Sequence, residues 1–316
     1  MVYDERGNLT ETSYFGLDLL PMDLVQGGYH KSVSRYDGMG NEIETTYFDS
    51  EGEPIVCASG FHRYAARYDS RGHLMERSFF GINGEPMLSD NLVAHRVTQV
   101  CDERGNVLEQ AFFDTEGKPS LGADGIHRTT QKFDAMGNVV ESRTYGTDGK
   151  PVVSEGFGAH LTKWRYDGFG QVTEVCWMGA GGEPVDVSLG YHKCLTAYDS
   201  SGNAVANSYF DHDGKPAIEE ETGVHMIRRR FNSKNQLIQI SYEDAAGKPV
   251  LGSNGYARET IGYDLRGNMS EIQYYGAEGE CVLYNGGTRW LQSYDPVTNA
   301  PLKVYIYDLE GNLVEQ

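Results

Sequence analysis

The sequence predicts an all-β fold, an elongated array (a β-solenoid or superhelix) of short antiparallel hairpins with about 32–33 residues per unit, nine units plus a half. Three observations predict it. A YDxxGN string recurs along the whole chain, and a second turn string of the form FDxxGKP follows it in most units. The stretches between turns alternate apolar and polar residues with period two, as half-buried strands do. No stretch keeps an i, i+3, i+4, i+7 pattern without a glycine break, so helices are not expected.

The first string opens repeats at Tyr3, Tyr36, Tyr68, Cys101, Phe133, Tyr166, Tyr198, Phe231 and Tyr263, and a half repeat at Tyr294, at spacings of 31–33 residues. Its Asp is suited to bond its own backbone and its Gly to adopt positive φ, so each copy reads as a tight turn. A segment such as NVLEQAFFD then reads as a strand. The second turn follows, as in YFDSEGEP from Tyr47, FFGINGEP from Phe79, FFDTEGKP from Phe112, TYGTDGKP from Thr144 and YFDHDGKP from Tyr209. Its Pro lacks an N–H and starts an edge or irregular segment, and an apolar pair such as VV is expected to begin a third strand. A loop ending in Gly-x-His leads into the next repeat. The 316 residues, which by length allow two domains, therefore read as a single array over 1–316. A closed propeller seldom exceeds about eight blades and uses about 40 or more residues per blade, so an open array fits better.

Both ends depart from the pattern. The second turn of the first repeat lacks its Gly and lies in the most apolar stretch of the chain, Gly16–Gly28, while Tyr307–Gly311 reads as a hairpin edge of a truncated tenth repeat. The distance from the turn Pro to the next column position alternates between 9 and 8, from Pro21–His30 and Pro54–His62 through Pro249–Ala257. This suggests a structural period of two repeats, with odd loops on one side and even loops on the other.

Composition narrows the function. Lys+Arg total 27 and Asp+Glu 46, so the net charge is 27 − 46 = −19. A chain this acidic lacks the general basic face that displaces phosphate counterions, so nucleic acid is not an expected partner. No run of about 20 apolar residues exists, so membrane insertion by a helix is not expected. Five cysteines, Cys57, Cys101, Cys176, Cys194 and Cys281, show no metal or disulfide spacing. With an N-terminus that does not read as a signal peptide, they suggest a cytoplasmic setting. Gly, at 39, and Tyr, at 21, follow from the repeat.

Reactive side chains fall into columns. One holds His30, His62, His95, His127, His160, His192 and His225. Repeats of two or more strands would space these imidazoles by about 10 Å, too far to share a metal ion, so they are expected to stack on aromatics or bond turn carboxylates. A second holds the turn acids Asp4, Asp37, Asp69, Asp102, Asp134, Asp167, Asp199 and Asp264, with Asp295 in the half repeat. One carboxylate per turn suits capping rather than calcium. A third holds Glu11, Glu44, Glu76, Glu109, Glu141, Glu174 and Glu271. No cofactor is implied and no catalytic set stands out, since enzyme sites are singular and these residues recur. Residues off the pattern are better candidates for function: Trp164, Arg165, Trp177 and Met178 are candidate partner-binding residues, an exposed hot spot. Arg228, Arg229 and Arg230, after Glu219–Glu221, read as a solvated charged edge.

The string YDxxGNxxE, with YDERGN, YDLRGN and YDLEGN, resembles the YD repeat of RHS proteins, the shells of bacterial polymorphic toxins and insecticidal complexes. That resemblance implies a spiral of β-hairpins able to enclose a toxin. The second string, as in TYFDSEG and SYFDHDG, is similar to choline-binding and clostridial cell-wall-binding repeats, which implies sugar or choline held between aromatic rings. The resulting expectation is a non-enzymatic repeat scaffold that binds a protein partner along an extended surface, as a region of a larger bacterial protein. A glycan-binding module and a shell segment enclosing cargo are the alternatives.

Overall fold

The structure, a computed structural model, describes residues 1–154, 156 and 158–315. It is all-β: twenty-one strands run from Val2–Tyr3 to Leu313–Glu315, and no helix occurs among the described residues. The chain divides into two compact units, Met1–Leu161 and Thr162–Gln316.

Repeat 3 shows how the sequence builds each hairpin. Strand Arg63–Tyr68 pairs antiparallel with Leu74–Phe80, register Tyr64↔Phe79 and Arg67↔Glu76. The turn between them is closed by Asp69 N–H to the His73 carbonyl and Gly72 N–H to the Asp69 carbonyl. Gly72 sits at φ 87°, a conformation that costs a residue with Cβ about 1–2 kcal/mol. The turn leaves a register shift between Arg67 and Tyr68, and similar shifts mark the other hairpins, as at Val100/Cys101 and Arg230/Phe231. Leu74–Phe80 then pairs with the next strand, Arg96–Cys101, through Glu76↔Thr98 and Ser78↔Arg96. Each unit is thus a meander in which strands pair with their neighbours in sequence.

The expected third strand is reduced to a single bridge, such as Phe80↔Pro86 or Phe113↔Pro119. Asp114 N–H to Lys118 and Ser120 N–H to Phe112 flank the proline, whose missing N–H is not called on. The chain then closes into a short loop, here called an arm, instead of continuing the ladder.

The 9/8 alternation is two arm geometries. In the longer arms the tip closes over five residues, as Val93 N–H to Ser89 O and Gly223 N–H to Glu219 O; in the shorter it closes over four, as Gly60 N–H to Cys57 O and Gly190 N–H to Val187 O. The two kinds do not lie on opposite sides. Ala58 N–H bonds Gly27 O and Asp90 N–H bonds Ser59 O in the first unit; Glu220 N–H bonds Leu189 O and Ser253 N–H bonds Thr222 O in the second. Within each unit these successive arms therefore stand side by side, which overturns the two-sided expectation: the tip N–H groups of Ala58, Asp90, Glu220 and Ser253 are satisfied by a neighbouring arm's backbone.

One sheet face carries the core. In the first unit Phe61, Phe79, Ala94, Val97 and Phe112 are buried together, with Tyr29, Tyr47 and Tyr64 against them. The rings form a ladder, with centroids of Tyr29–Tyr47 4.6 Å and Phe61–Phe79 4.7 Å apart. The second unit repeats it as Trp177–Tyr191–Tyr209 and Tyr242–Tyr256–Tyr274. Such contacts contribute roughly 0.5–1.5 kcal/mol each beyond the area they bury. The opposite face carries alternating cations and carboxylates. In the first repeat, Leu19 holds φ 63° where later turns have Gly, and Leu17 and Val25 are exposed.

Candidate functional site

The histidine column is structural in its geometry. All seven rings are buried, and six stand edge-on to an aromatic, in five cases the last residue of a preceding strand, as Phe80–His95 at 5.3 Å and Phe113–His127 at 5.6 Å. Where a ring nitrogen is bonded, Nδ1 faces backbone carbonyls: those of Phe79 and Met87 for His95, of Phe112 and Ser120 for His127. Carbonyls only accept, so Nδ1 carries the proton and the rings are held in one tautomer. The partner is a carbonyl of the turn-arm junction and not the turn carboxylate expected, because the arm folds its own backbone under the imidazole.

The turn acids cap their turns. Asp134 Oδ1 accepts the Met136 and Asn138 N–H groups and Oδ2 accepts the Asn138 amide. Donation by that amide first, and by backbone N–H groups, holds the Asp134 carboxyl below its ordinary value, as it does at Asp4, Asp37 and Asp199. Asp167 and Asp264 accept the same backbone bonds. The Tyr that precedes the Asp ties repeats together: Tyr36 donates to Leu9 O at 2.8 Å, Tyr68 to Glu42 O at 3.0 Å, and Tyr263 to Leu237 O at 2.8 Å.

The Glu column forms the charged face. Glu44 lies opposite Arg35 and diagonal to Arg63, and accepts from both at 3.4 and 2.9 Å. Glu76 sits likewise between Arg67 and Arg96 at 3.9 and 3.2 Å. The diagonal Arg, the residue after the column His, also lies over the next strand's terminal aromatic, Arg63 over Phe80 at 4.1 Å and Arg96 over Phe113 at 4.2 Å. Glu109–Arg128 and Glu271–Arg289 keep the diagonal pair, at 2.9 and 2.6 Å.

Repeat 8 breaks both columns at once. Its strand Leu237–Glu243 has Gln239 at the Glu position, opposite Arg230 and paired on its other side with Thr260, as Glu76 is with Arg67 and Thr98. Ala257, fully buried, stands at the His position. Arg258 still lies over Tyr275 at 4.2 Å, yet its buried Nε has no hydrogen-bond partner. Arg230 likewise has no carboxylate within ion-pair distance among the described residues, while Arg228 is held by Glu243 at 2.7 Å. A cleft of about 490 Å³ opens over these residues. The arginine run is thus not a solvated edge throughout: Arg229 turns to the opposite face and donates to Asn207 at 2.6 Å, while Arg228 and Arg230 line the cleft.

The four candidate partner-binding residues do not form one hot spot. Trp164 and Arg165 are neighbours on strand Leu161–Tyr166, and Trp177 and Met178 on Val172–Met178. Successive strand residues point to opposite faces, so each pair is split. Trp177 is 9% exposed and stacks edge-on to Tyr191 at 5.5 Å, filling the core as its counterparts Phe79 and Tyr209 do. Arg165 is exposed and 3.5 Å from Glu174. Sequence reading passed over Gln239 because a missing residue in a column is quieter than an unusual one present; the skip from Glu174 to Glu271 was the signal.

No family profile and no curated relative matches the sequence. Among solved structures, the crystal structure of TcdB2-TccC3-TEV is similar over 99% of this chain and 19% of that chain, at 12% identity and a TM-score of 0.38. The Photorhabdus luminescens Tc holotoxin pore is similar over 87% of this chain and 19% of that chain, at 14% identity and a TM-score of 0.29. A porin-like protein from Bacteroides uniformis is similar over 77% of this chain and 88% of that chain, at 8% identity and a TM-score of 0.24. The chain spans about a fifth of the length of the toxin-complex chains it matches.

Proposed function

We propose that the chain is a non-enzymatic scaffold that binds a protein partner through the faces of its hairpin repeats, as one region of a larger bacterial protein. The observation that supports this most is the employment of its reactive side chains. In most repeats the column His ring is buried on carbonyls or an aromatic, the turn Asp caps, and the column Glu pairs with Arg. What the repeats leave for a partner is extended strand surface, the usual binding surface of repeat arrays. Five unpaired thiols support a reducing, cytoplasmic setting. The glycan alternative calls for rings exposed in clefts, whereas the ladder rings stack on one another in the core.

The test is photo-cross-linking from single benzophenone side chains at Arg67 and Arg165 on the charged face and at Gln131 on the aromatic face. The scaffold reading expects the same protein, identified by mass spectrometry, to cross-link from at least two positions on one face. Absence of any cross-linked protein at all three positions contradicts it. Cross-links from Gln131 alone would favour an enclosed cargo.

A further inference from the structure

Repeat 8 keeps the receptor half of an ion pair whose other half is missing. In repeats 2 and 3 a column carboxylate bridges an arginine directly opposite and a second on the diagonal, at 3.4 and 2.9 Å for Glu44 and at 3.9 and 3.2 Å for Glu76. In repeat 8 the strands hold the same register, and both arginines are present as Arg230 and Arg258. The bridging position is the neutral Gln239, and the imidazole that would fill the adjoining space is reduced to the methyl of Ala257.

Other repeats do not combine these features. Repeat 9 has lost its His, with Thr288 in place, but keeps Glu271 on Arg289 at 2.6 Å. Repeat 7 has lost its Glu to Ala206, and with it the diagonal Arg, replaced by Met226. In repeat 8 the guanidinium of Arg258 is fixed over Tyr275, with its Nε buried and without a partner. Leaving such a donor unmade is costly, and a planar guanidinium fork fits a carboxylate in two-point geometry. The cleft above it is about 490 Å³, and Ser241 adds a hydroxyl to its lining. Its charged side chains are Arg228, Arg230 and Arg258 against Glu243, which is paired with Arg228, and Glu278, so the lining is locally basic in a chain of net charge −19.

We propose that this cleft is a carboxylate-binding site, in which a ligand's carboxylate takes the place of the missing column Glu between Arg230 and Arg258 and the ligand's body lies in the rest of the cleft. The site rests on the internal template of repeats 2 and 3 and does not depend on the scaffold reading.

Two carboxylate sources suit it, a free small dicarboxylate and an acidic side chain on a polypeptide, and calorimetric titration separates them. The full chain is titrated with glutarate and, separately, with a penta-glutamate peptide at about 0.15 M salt, where exposed charges are screened beyond about 8 Å. Saturable binding with one site per chain is expected for at least one probe. Tighter binding of glutarate assigns a small-molecule ligand, and tighter binding of the peptide assigns a polypeptide side chain. Gln239→Glu fills the position with the protein's own carboxylate and is expected to abolish binding while the chain stays folded. Ala257→His is expected to weaken binding by narrowing the cleft, and Arg258→Ala to weaken it about tenfold or more. No saturable binding of either probe, or binding undiminished in Gln239→Glu, overturns the site. If Gln239→Glu fails to fold, undiminished binding by a folded Arg230→Ala and Arg258→Ala pair overturns it equally.

Discussion

Repeats 3 and 8 share a backbone and differ in what they do with it. In both, a seven-residue strand pairs with its neighbours in the same register, Glu76 with Arg67 and Thr98, Gln239 with Arg230 and Thr260. Repeat 3 closes its charged face, with His95 stacked on Phe80 and Glu76 between two arginines. Repeat 8 has Ala257 and Gln239 at those positions and an open cleft. The hairpin is set by turn chemistry and alternation, so the column side chains on this face are not needed to define it. They stabilise the regular repeats and can be given up where a site is wanted.

The largest effect should come from making a regular repeat resemble repeat 8 at the histidine position. His127→Ala removes a buried ring from Phe113 and strips the Phe112 and Ser120 carbonyls of their donor. A loss of about 3 kcal/mol is expected in denaturant unfolding. A loss below about 0.5 kcal/mol would mean that the column does not support the arm.

Glu76→Gln repeats the other half of the change. Arg96 and Arg67 lose their shared carboxylate, at side-chain exposures of 30% and 79%. Exposed pairs contribute little, so a loss of about 1 kcal/mol is expected, smaller at high salt. A salt-independent loss would point to packing and not charge.

A smaller gain is expected from Phe133→Tyr. Repeats opened by Tyr send a hydroxyl to the previous repeat, as Tyr68 does to Glu42 O, while Phe133 has no hydroxyl to offer. Restoring it should add about 1 kcal/mol or less, read as a higher denaturation midpoint. Destabilisation would show that the carbonyl is not reachable there.

The turns separate repeat 4 from repeat 8 by pH. Asp102 has its carboxyl lowered from the ordinary 3.8 by the Asn106 amide, so the folded form holds its proton more weakly than the unfolded. That contribution is full above the unfolded value and is lost as pH falls through the lower folded one. Repeat 8 uses Asn232, which caps through Oδ1 without a titrating group. Amide exchange corrected for intrinsic rates should therefore show acid opening at the Asp102 turn before the Asn232 turn. Simultaneous opening would contradict the capping account.

Much of this fold was legible in sequence, because each signal has a local cause. DxxGN fixes a turn through Asp oxygens and a left-handed Gly, and period-two alternation fixes the strand faces between turns. The row of arms was not legible: the 9/8 spacing records tip geometry, and only backbone bonds such as Ala58 to Gly27 place the tips side by side. Nor was the burial of Trp177 against Tyr191, which separates it from an exposed cluster with Arg165. Gln239 became conspicuous only once the register put two arginines around it.

The central claim is that Arg230 and Arg258 surround a carboxylate position that the chain itself leaves open. The most direct test is the thermal midpoint of Gln239→Glu against the parent chain at neutral pH without ligand. The account predicts a rise of about 2–4 °C for each kcal/mol the restored pair contributes, as for a unit of 150–250 residues. An unchanged or lowered midpoint would contradict it, because two arginines set for a carboxylate should be stabilised by receiving one.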